Sequence, residues 1–398
     1  MLCTIALLGS NTLGHDELEA MRARLYEDGI AIVRGFSNIT ETSAMIKSME
    51  LMVSEWWQGE QTADASKAEV FRTDSEQVKA QATSDYFFSS ADRVHFFREP
   101  PSNSCTEAGN ETPPPLNKVG HGLHLDATTP FGRYSQSPKV AAVLTTVLQA
   151  PVLPQSMYIF KPAAHGSVVT AHQDATFLYT TPRQTVVGLW LALHDATITN
   201  GCLWARKGSH REPVRRKFVR VKRNGTVAME FEDLPDGKAA PQEAFFNGMG
   251  PTPPRAGGLW TMLTRFLRNR LRIGASTRGR QTDLARGQAA RVWEGTFPPS
   301  NLTAEGFEGD GERSLPDGSP MSATLRQLRA RGYEPLPVSA GDLVIFFGTT
   351  DHLSLPNFSP HPRHTFQLHA VDGPDAGYEW HTRNWLQYDG SKSFLRIT

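Results

Sequence analysis

Hydrophobic positions along this chain repeat with two periods, and the switch between them outlines the fold. From Asp16 to Glu27, Leu18, Met21 and Leu25 fall on one helical face. Gly29 ends that pattern before the β-rich run Ile30-Ala31-Ile32-Val33. Residues 41–57 predict a second amphipathic helix. Residues 60–115 are polar and close on Pro113-Pro114-Pro115, which predicts an irregular surface excursion. Residues 137–150, with Lys139, Val140, Ala141, Leu144, Val147 and Leu148, predict a helix stopped by Pro151.

Beyond Pro151 the texture becomes short, β-branched and aromatic. Strands are predicted over 155–161, 168–174, 186–193 and 201–205, and again over 343–347 and 364–371. Such runs with turn residues between them predict a mainly β protein, a sandwich or barrel with N-terminal helices. Residues 211–335 interrupt the strands and are rich in Gly, Pro and Arg. The pattern therefore predicts one domain with its core at about 15–60, 116–210 and 336–390. A long insert at 211–335 falls on the surface because of its low hydrophobic density.

Composition narrows the class. The 398 residues are 39% hydrophobic with 27 Pro and 33 Gly, as expected for long loops around a compact core. Lys+Arg and Asp+Glu balance at 41 each, so there is no bulk attraction to nucleic acid or anionic membrane. The basic stretch 265–291 reads better as a solvated helix and loop than as a nucleic-acid contact. Three widely spaced cysteines, Cys3, Cys105 and Cys202, form no CxxC pair and argue against a disulfide scaffold or structural zinc. There is no secretory signal pattern, no apolar run of membrane-spanning length and no C-terminal peroxisomal address, so the expected location is the cytoplasm.

The chemistry concentrates in Ala171-His172-Gln173-Asp174-Ala175. On a strand, alternate side chains share a face, so His172 and Asp174 are expected to project together. His352 follows the apolar strand 343–347. Two imidazoles and one carboxylate can take one face of a ferrous ion and leave the other positions open, the pattern of non-haem iron oxygenases. Arg363, eleven positions after His352, offers a fork for the carboxylate of an oxoacid, and Ser354 could add a hydroxyl.

Several runs resemble the phytanoyl-CoA dioxygenase family, and in particular its phytanoyl-CoA dioxygenase domain-containing protein branch. They are 155–161 (Gln-Ser-Met-Tyr-Ile-Phe-Lys), 172–179 (His-Gln-Asp-Ala-Thr-Phe-Leu-Tyr) and Asn200-Gly201-Cys202-Leu203-Trp204 with Gly208-Ser209-His210. Glu27-Asp28-Gly29, Val33-Arg34-Gly35-Phe36 and Asn384-Trp385 add to it. The resemblance implies a double-stranded β-helix, or jelly roll, using Fe(II) and 2-oxoglutarate, with ascorbate as reductant. It implies His172, Asp174 and His352 as catalytic iron ligands. It also implies Arg363, Ser354 and Lys118 at the co-substrate, with Met157 and Trp190 lining its pocket. His210 belongs to a structural turn, and His121, His124, His194, His361, His364 and His369 are given no role.

The implied reaction consumes O₂ and 2-oxoglutarate, releases succinate and CO₂, and hydroxylates a small-molecule or acyl substrate. Halogenating relatives carry a small residue at the position of Asp174, so the carboxylate points to hydroxylation. The alternative is a metal- and 2-oxoglutarate-binding sensor without turnover. The spacing from Asp174 to His352 is about twice that of the branch, which leaves substrate choice open.

Overall fold

The computed structural model describes residues 5–6, 13–62, 68–73, 81–101, 113–164, 166–223, 225–234, 320–390 and 392–398. Cys3, Cys105, the apolar N-terminal residues 1–4 and 7–8 and the basic stretch 265–291 lie outside them.

In chain order the strands begin with β1 (Ile5–Ala6), β2 (Ile30–Arg34), β3 (Val94–Arg98), β4 (Leu116–His121) and β5 (Pro151–Ile159). Next come β6 (Val169–His172), β7 (Thr180–Thr181), β8 (Val187–Ala192), β9 (Leu203–Arg206), β10 (Arg216–Arg223) and β11 (Thr226–Asp233). The last are β12 (Tyr333–Leu336), β13 (Leu343–Phe347), β14 (His352–Ser354), β15 (Thr365–Asp372), β16 (Glu379–Trp380) and β17 (Leu395–Arg396). The helices are α1 (His15–Asp28), α2 (Ile39–Thr62), α3 (Asp85–Ser89), α4 (Pro130–Ser135), α5 (Pro138–Val147) and α6 (Pro320–Ala330).

Local chemistry accounts for the helix ends. Gly29 closes α1 at φ +81°, and its N–H donates to the Leu25 carbonyl. A Cβ there would stand 2.3 Å from Nδ1 of His210, so glycine is required twice over. Pro138 opens α5, where a missing N–H costs nothing.

The large sheet runs β1-β2-β13-β8-β15-β5-β4-β3, with β17 also on β5; the small one runs β12-β9-β14-β6. Apart from the parallel β1–β2 pair, neighbours in both sheets are antiparallel. Period-two alternation divides the work of β15. Phe366, Leu368 and Ala370 join Leu189 and Leu191 of β8 against Met21 and Leu25 of α1 and Val140, Val143 and Leu144 of α5. Each such large apolar side chain contributes roughly 1.5–3 kcal/mol on burial. The other face of the large sheet, through Trp190, Val344 and Phe346, packs on Leu203, Trp204 and Leu353 of the small sheet. The result is a jelly-roll core with helices on one side, as the resemblance implied.

Four expectations need correction. Residues 60–115 contain α3 and β3, and Phe87 and Phe97 are buried, because aromatic residues there fill a third apolar cluster. The expected insert 211–335 is too wide at both ends. Residues 216–233 form the β10–β11 hairpin with Phe218 and Met229 buried. Residues 320–336 form α6 and β12, and β12 pairs with β9 in the small sheet. Pro151 opens β5 rather than merely ending a helix, at a position where no ladder N–H is needed. Finally, β6 stops at His172, and Asp174 begins a 3₁₀ turn over Asp174–Thr176.

Among the described residues, no helix is long and apolar enough to cross a membrane.

Candidate metal and co-substrate site

His172 and His352 face one another as register partners across β6 and β14. Their rings lie 4.3 Å apart between centroids. Each is held the same way: Nδ1 of His172 donates to the Thr170 carbonyl at 2.8 Å, and Nδ1 of His352 to the Thr350 carbonyl at 3.0 Å. With the proton fixed on Nδ1, each Nε2 presents a lone pair inward. Oδ1 of Asp174 stands 3.4 Å from Nε2 of His172 and 3.8 Å from Nε2 of His352. One ligand atom from each residue lies within 4.8 Å of the others. The expected strand geometry gave the right convergence for another reason: the turn after His172, not strand alternation, brings Asp174 round.

Burial and its neighbour His172 lower the His352 pKa to about 4, so the imidazole is neutral at neutral pH, as a ligand must be. Burial opposes ionisation of Asp174, yet the imidazoles of His369 and His352 outweigh it and hold the carboxyl well below the usual range. Oδ2 of Asp174 accepts from Nε2 of His369 at 2.9 Å, and Gln155 donates its amide to Nδ1 of His369 at 3.0 Å. Gly188 lies beneath: a Cβ there would meet the Phe346 ring at 2.8 Å and Oδ2 of Asp174 at 3.3 Å. Two neutral imidazole nitrogens and an oriented carboxylate fit a ferrous ion, and nothing in the set resembles a closed four-ligand zinc site.

These groups open into a cavity of about 850 Å³ that also contains Lys118, Met157, Trp190, Ser354 and Arg363. All eight expected site residues therefore line one space. Arg363 is 2% exposed; Nη2 donates to the Gly201 carbonyl at 2.9 Å, Nη1 to Oγ1 of Thr365 at 3.3 Å, and Nε has no partner. The guanidinium lies 5.3 Å from the centroid of the Trp190 ring. Burial lowers its pKa to about 9, which leaves it charged at neutral pH. The Ser354 hydroxyl is buried and makes no hydrogen bond among the described residues. A buried cation with an orphaned N–H and a buried hydroxyl without a partner, lining the same cavity, suit an anionic guest.

Arg363 and His352 belong to opposite sheets, Arg363 just ahead of β15 and His352 on β14, and both line the cavity. The Lys118 Nζ donates to Nε2 of His121 at 2.9 Å and lies 3.3 Å from the Phe71 ring centroid. Burial pushes its pKa well below the ordinary value.

Sequence reasoning missed His369, Gln155 and His121. A signal existed: Arg363, Thr365, Gln367 and His369 alternate with Phe366, Leu368 and Ala370, marking a strand with one polar, buried face. It also missed the aromatic wall of Phe177, Phe218 and Phe231, since two of these three lie in the supposed insert.

A sequence profile of the phytanoyl-CoA dioxygenase (PhyH) family matches residues 25–236, more than half of the chain. The chain belongs to the phytanoyl-CoA dioxygenase family. The match begins in α1 and ends just past β11, so the β10–β11 hairpin falls within it. Among curated relatives, the chain is 31% identical to mouse phytanoyl-CoA dioxygenase domain-containing protein 1 over 92% of each chain. It is 29% identical to rice phytanoyl-CoA dioxygenase 1 over 90% of each. A solved structure of EctD from S. alaskensis with 2-oxoglutarate and 5-hydroxyectoine aligns at a TM-score of 0.47 and 12% identity. That alignment covers 99% of this chain and 90% of that one, a likeness too distant to bear on chemistry.

Proposed function

We propose that this family member is an Fe(II)- and 2-oxoglutarate-dependent dioxygenase that hydroxylates a small-molecule or acyl substrate. The observation that carries the reading is the convergence of His172, Asp174 and His352 in the cavity that also holds Arg363 with its unpartnered Nε. A ferrous ion in this site would supply O₂ activation driven by oxidative decarboxylation of 2-oxoglutarate to succinate and CO₂.

The chain's own residues do the rest. His172 and His352 offer Nε2 because their Nδ1 protons are tied to backbone carbonyls. Asp174 is aimed through Oδ1 because His369 occupies Oδ2. Arg363 and Ser354 would hold the distal carboxylate of 2-oxoglutarate, against the Trp190 ring and near Met157. Lys118 would add a donor to the co-substrate. The aromatic residues beyond His172 would exclude water from the reacting carbon. Ascorbate would serve as the external reductant, and the cytoplasm remains the expected compartment. The single-domain organisation stands as part of the same proposal.

Anaerobic titration tests the reading. Wild-type protein with ferrous iron is expected to show a visible metal-to-ligand charge-transfer band when 2-oxoglutarate is added, and Arg363→Met to lose it at the same concentration. Absence of the band in wild type contradicts the reading.

A further inference from the structure

The charges around the cavity are unequal. Among its described lining residues one carboxylate, Asp174, faces four basic side chains: Lys118, Lys161, Arg216 and Arg363. Three have an evident occupation. Lys161 donates to the carbonyls of Ser167 and Leu355, Arg363 awaits the oxoacid carboxylate, and Lys118 donates to His121.

Arg216 does not. It is the first residue of β10, half-buried, and its side chain makes no hydrogen bond or ion pair among the described residues. Its guanidinium lies 3.9 Å from the centroid of the Phe231 ring. The acid opposite it in the hairpin register is Asp233, which attracts the guanidinium but forms no ion pair with it, and burial outweighs that attraction. A guanidinium stays charged at neutral pH, and leaving it half-desolvated without an anion is costly.

Between Arg216 and the triad runs a continuous aromatic wall. The His172 ring meets Phe177 edge-on at 6.0 Å, and Phe177 meets Phe218 at 5.8 Å and Phe231 at 6.1 Å. Phe218 and Phe231 touch at 5.0 Å.

We propose that Arg216 is a specificity-determining residue that binds a carboxylate or phosphate monoester on the primary substrate. The substrate's apolar body lies along Phe177, Phe218 and Phe231 and delivers a carbon to the triad. This rests on the oxygenase reading and deepens it. Two features support it together: the one cavity cation left without a partner, and the apolar path joining it to His172. The anion must sit inside the cavity, on the body of the substrate.

The test uses the full chain loaded anaerobically with ferrous iron and 2-oxoglutarate. Ligand-observed NMR compares octanoate, octyl phosphate and the neutral methyl octanoate. Wild type is expected to bind at least one anion about tenfold more tightly than the ester. Whether octanoate or octyl phosphate is preferred identifies the carboxylate or the phosphate as the group recognised. Arg216→Gln is expected to erase the preference, and Arg216→Lys to keep part of it. An unchanged melting temperature shows that each variant folds, and Arg216→Lys serves if Arg216→Gln does not. Equal binding of ester and anions by wild type, no binding of either anion, or a preference that survives Arg216→Gln overturns the proposal. The charge-transfer band of wild type, recorded on the same samples, reports separately on the oxygenase reading.

Discussion

His369 donates from Nε2 to Oδ2 of Asp174 at 2.9 Å, while Oδ1 of the same carboxylate faces the imidazoles of His172 and His352. One oxygen is thus fixed by the protein and the other is left for a metal. The support extends outward, since the Gln155 amide donates to Nδ1 of His369 and fixes its tautomer. Partners of this kind typically govern metal affinity by 10–100-fold. His369→Ala is therefore expected to weaken ferrous-ion binding by about one to two orders of magnitude, with the fold retained. Competition with a metallochromic chelator measures it; wild-type affinity in the variant contradicts the role.

Arg363 and Ser354 are expected to separate co-substrate binding from metal binding. Arg363→Met removes the fork and should raise KM for 2-oxoglutarate by about 100-fold or more, and Arg363→Lys should not restore it, because a point charge cannot replace a planar pair of donors. Ser354→Ala removes one neutral donor and should raise KM by roughly tenfold or less. Metal affinity without co-substrate should be unchanged in both. Steady-state kinetics against 2-oxoglutarate checks the ranking.

The strand that carries His352 is pinned from behind. Asp351 accepts two hydrogen bonds from Arg215 at 2.8 Å each, one from Nε of Arg206 at 3.1 Å and one from the Tyr333 hydroxyl at 2.8 Å. Burial opposes its ionisation, and the Arg215 and Arg206 cations overcome that and lower its pKa. Asp351→Asn leaves two partly buried guanidinium groups facing a neutral amide and is expected to cost about 3 kcal/mol. Denaturant unfolding followed by circular dichroism reads this directly.

Acid sensitivity should arise in part from His124. Nε2 donates to the Leu153 carbonyl, and Ser156 donates to Nδ1, so the ring is held neutral. Burial lowers its pKa from 6.5 to about 4. The sign follows: its stabilisation is complete above about pH 6.5 and is lost as pH falls toward about 4, because only the unfolded chain takes up the proton. Between about pH 7 and about pH 5 this amounts to about 2 kcal/mol. His124→Gln should lose that much less stability than wild type over the same interval, measured by urea unfolding. Equal losses contradict the assignment.

The strand-rich halves and the triad were legible because they are local patterns: alternation over 343–347, the His-x-Asp spacing, and Arg363 at the head of an apolar-polar strand. The jelly roll followed from family resemblance rather than from periodicity. What remained hidden depends on pairing between distant segments. The β10–β11 hairpin looks polar because only Phe218, Val219 and Met229 among its residues are buried, and its partners in the cavity wall lie elsewhere in the chain. Likewise, His369 acquires a role only when β15 is placed beside β8, where Gly188 leaves room for the Asp174 carboxylate.

The most direct measurement is the stoichiometry of succinate release. Purified wild-type protein with ferrous iron, ascorbate, O₂ and 2-oxoglutarate is predicted to form one succinate for each 2-oxoglutarate consumed, and His172→Ala and Asp174→Ala to fall to background. Equal release from wild type and both variants contradicts the account. So does tight 2-oxoglutarate binding with no decarboxylation in the presence of any candidate substrate, the behaviour of a sensor.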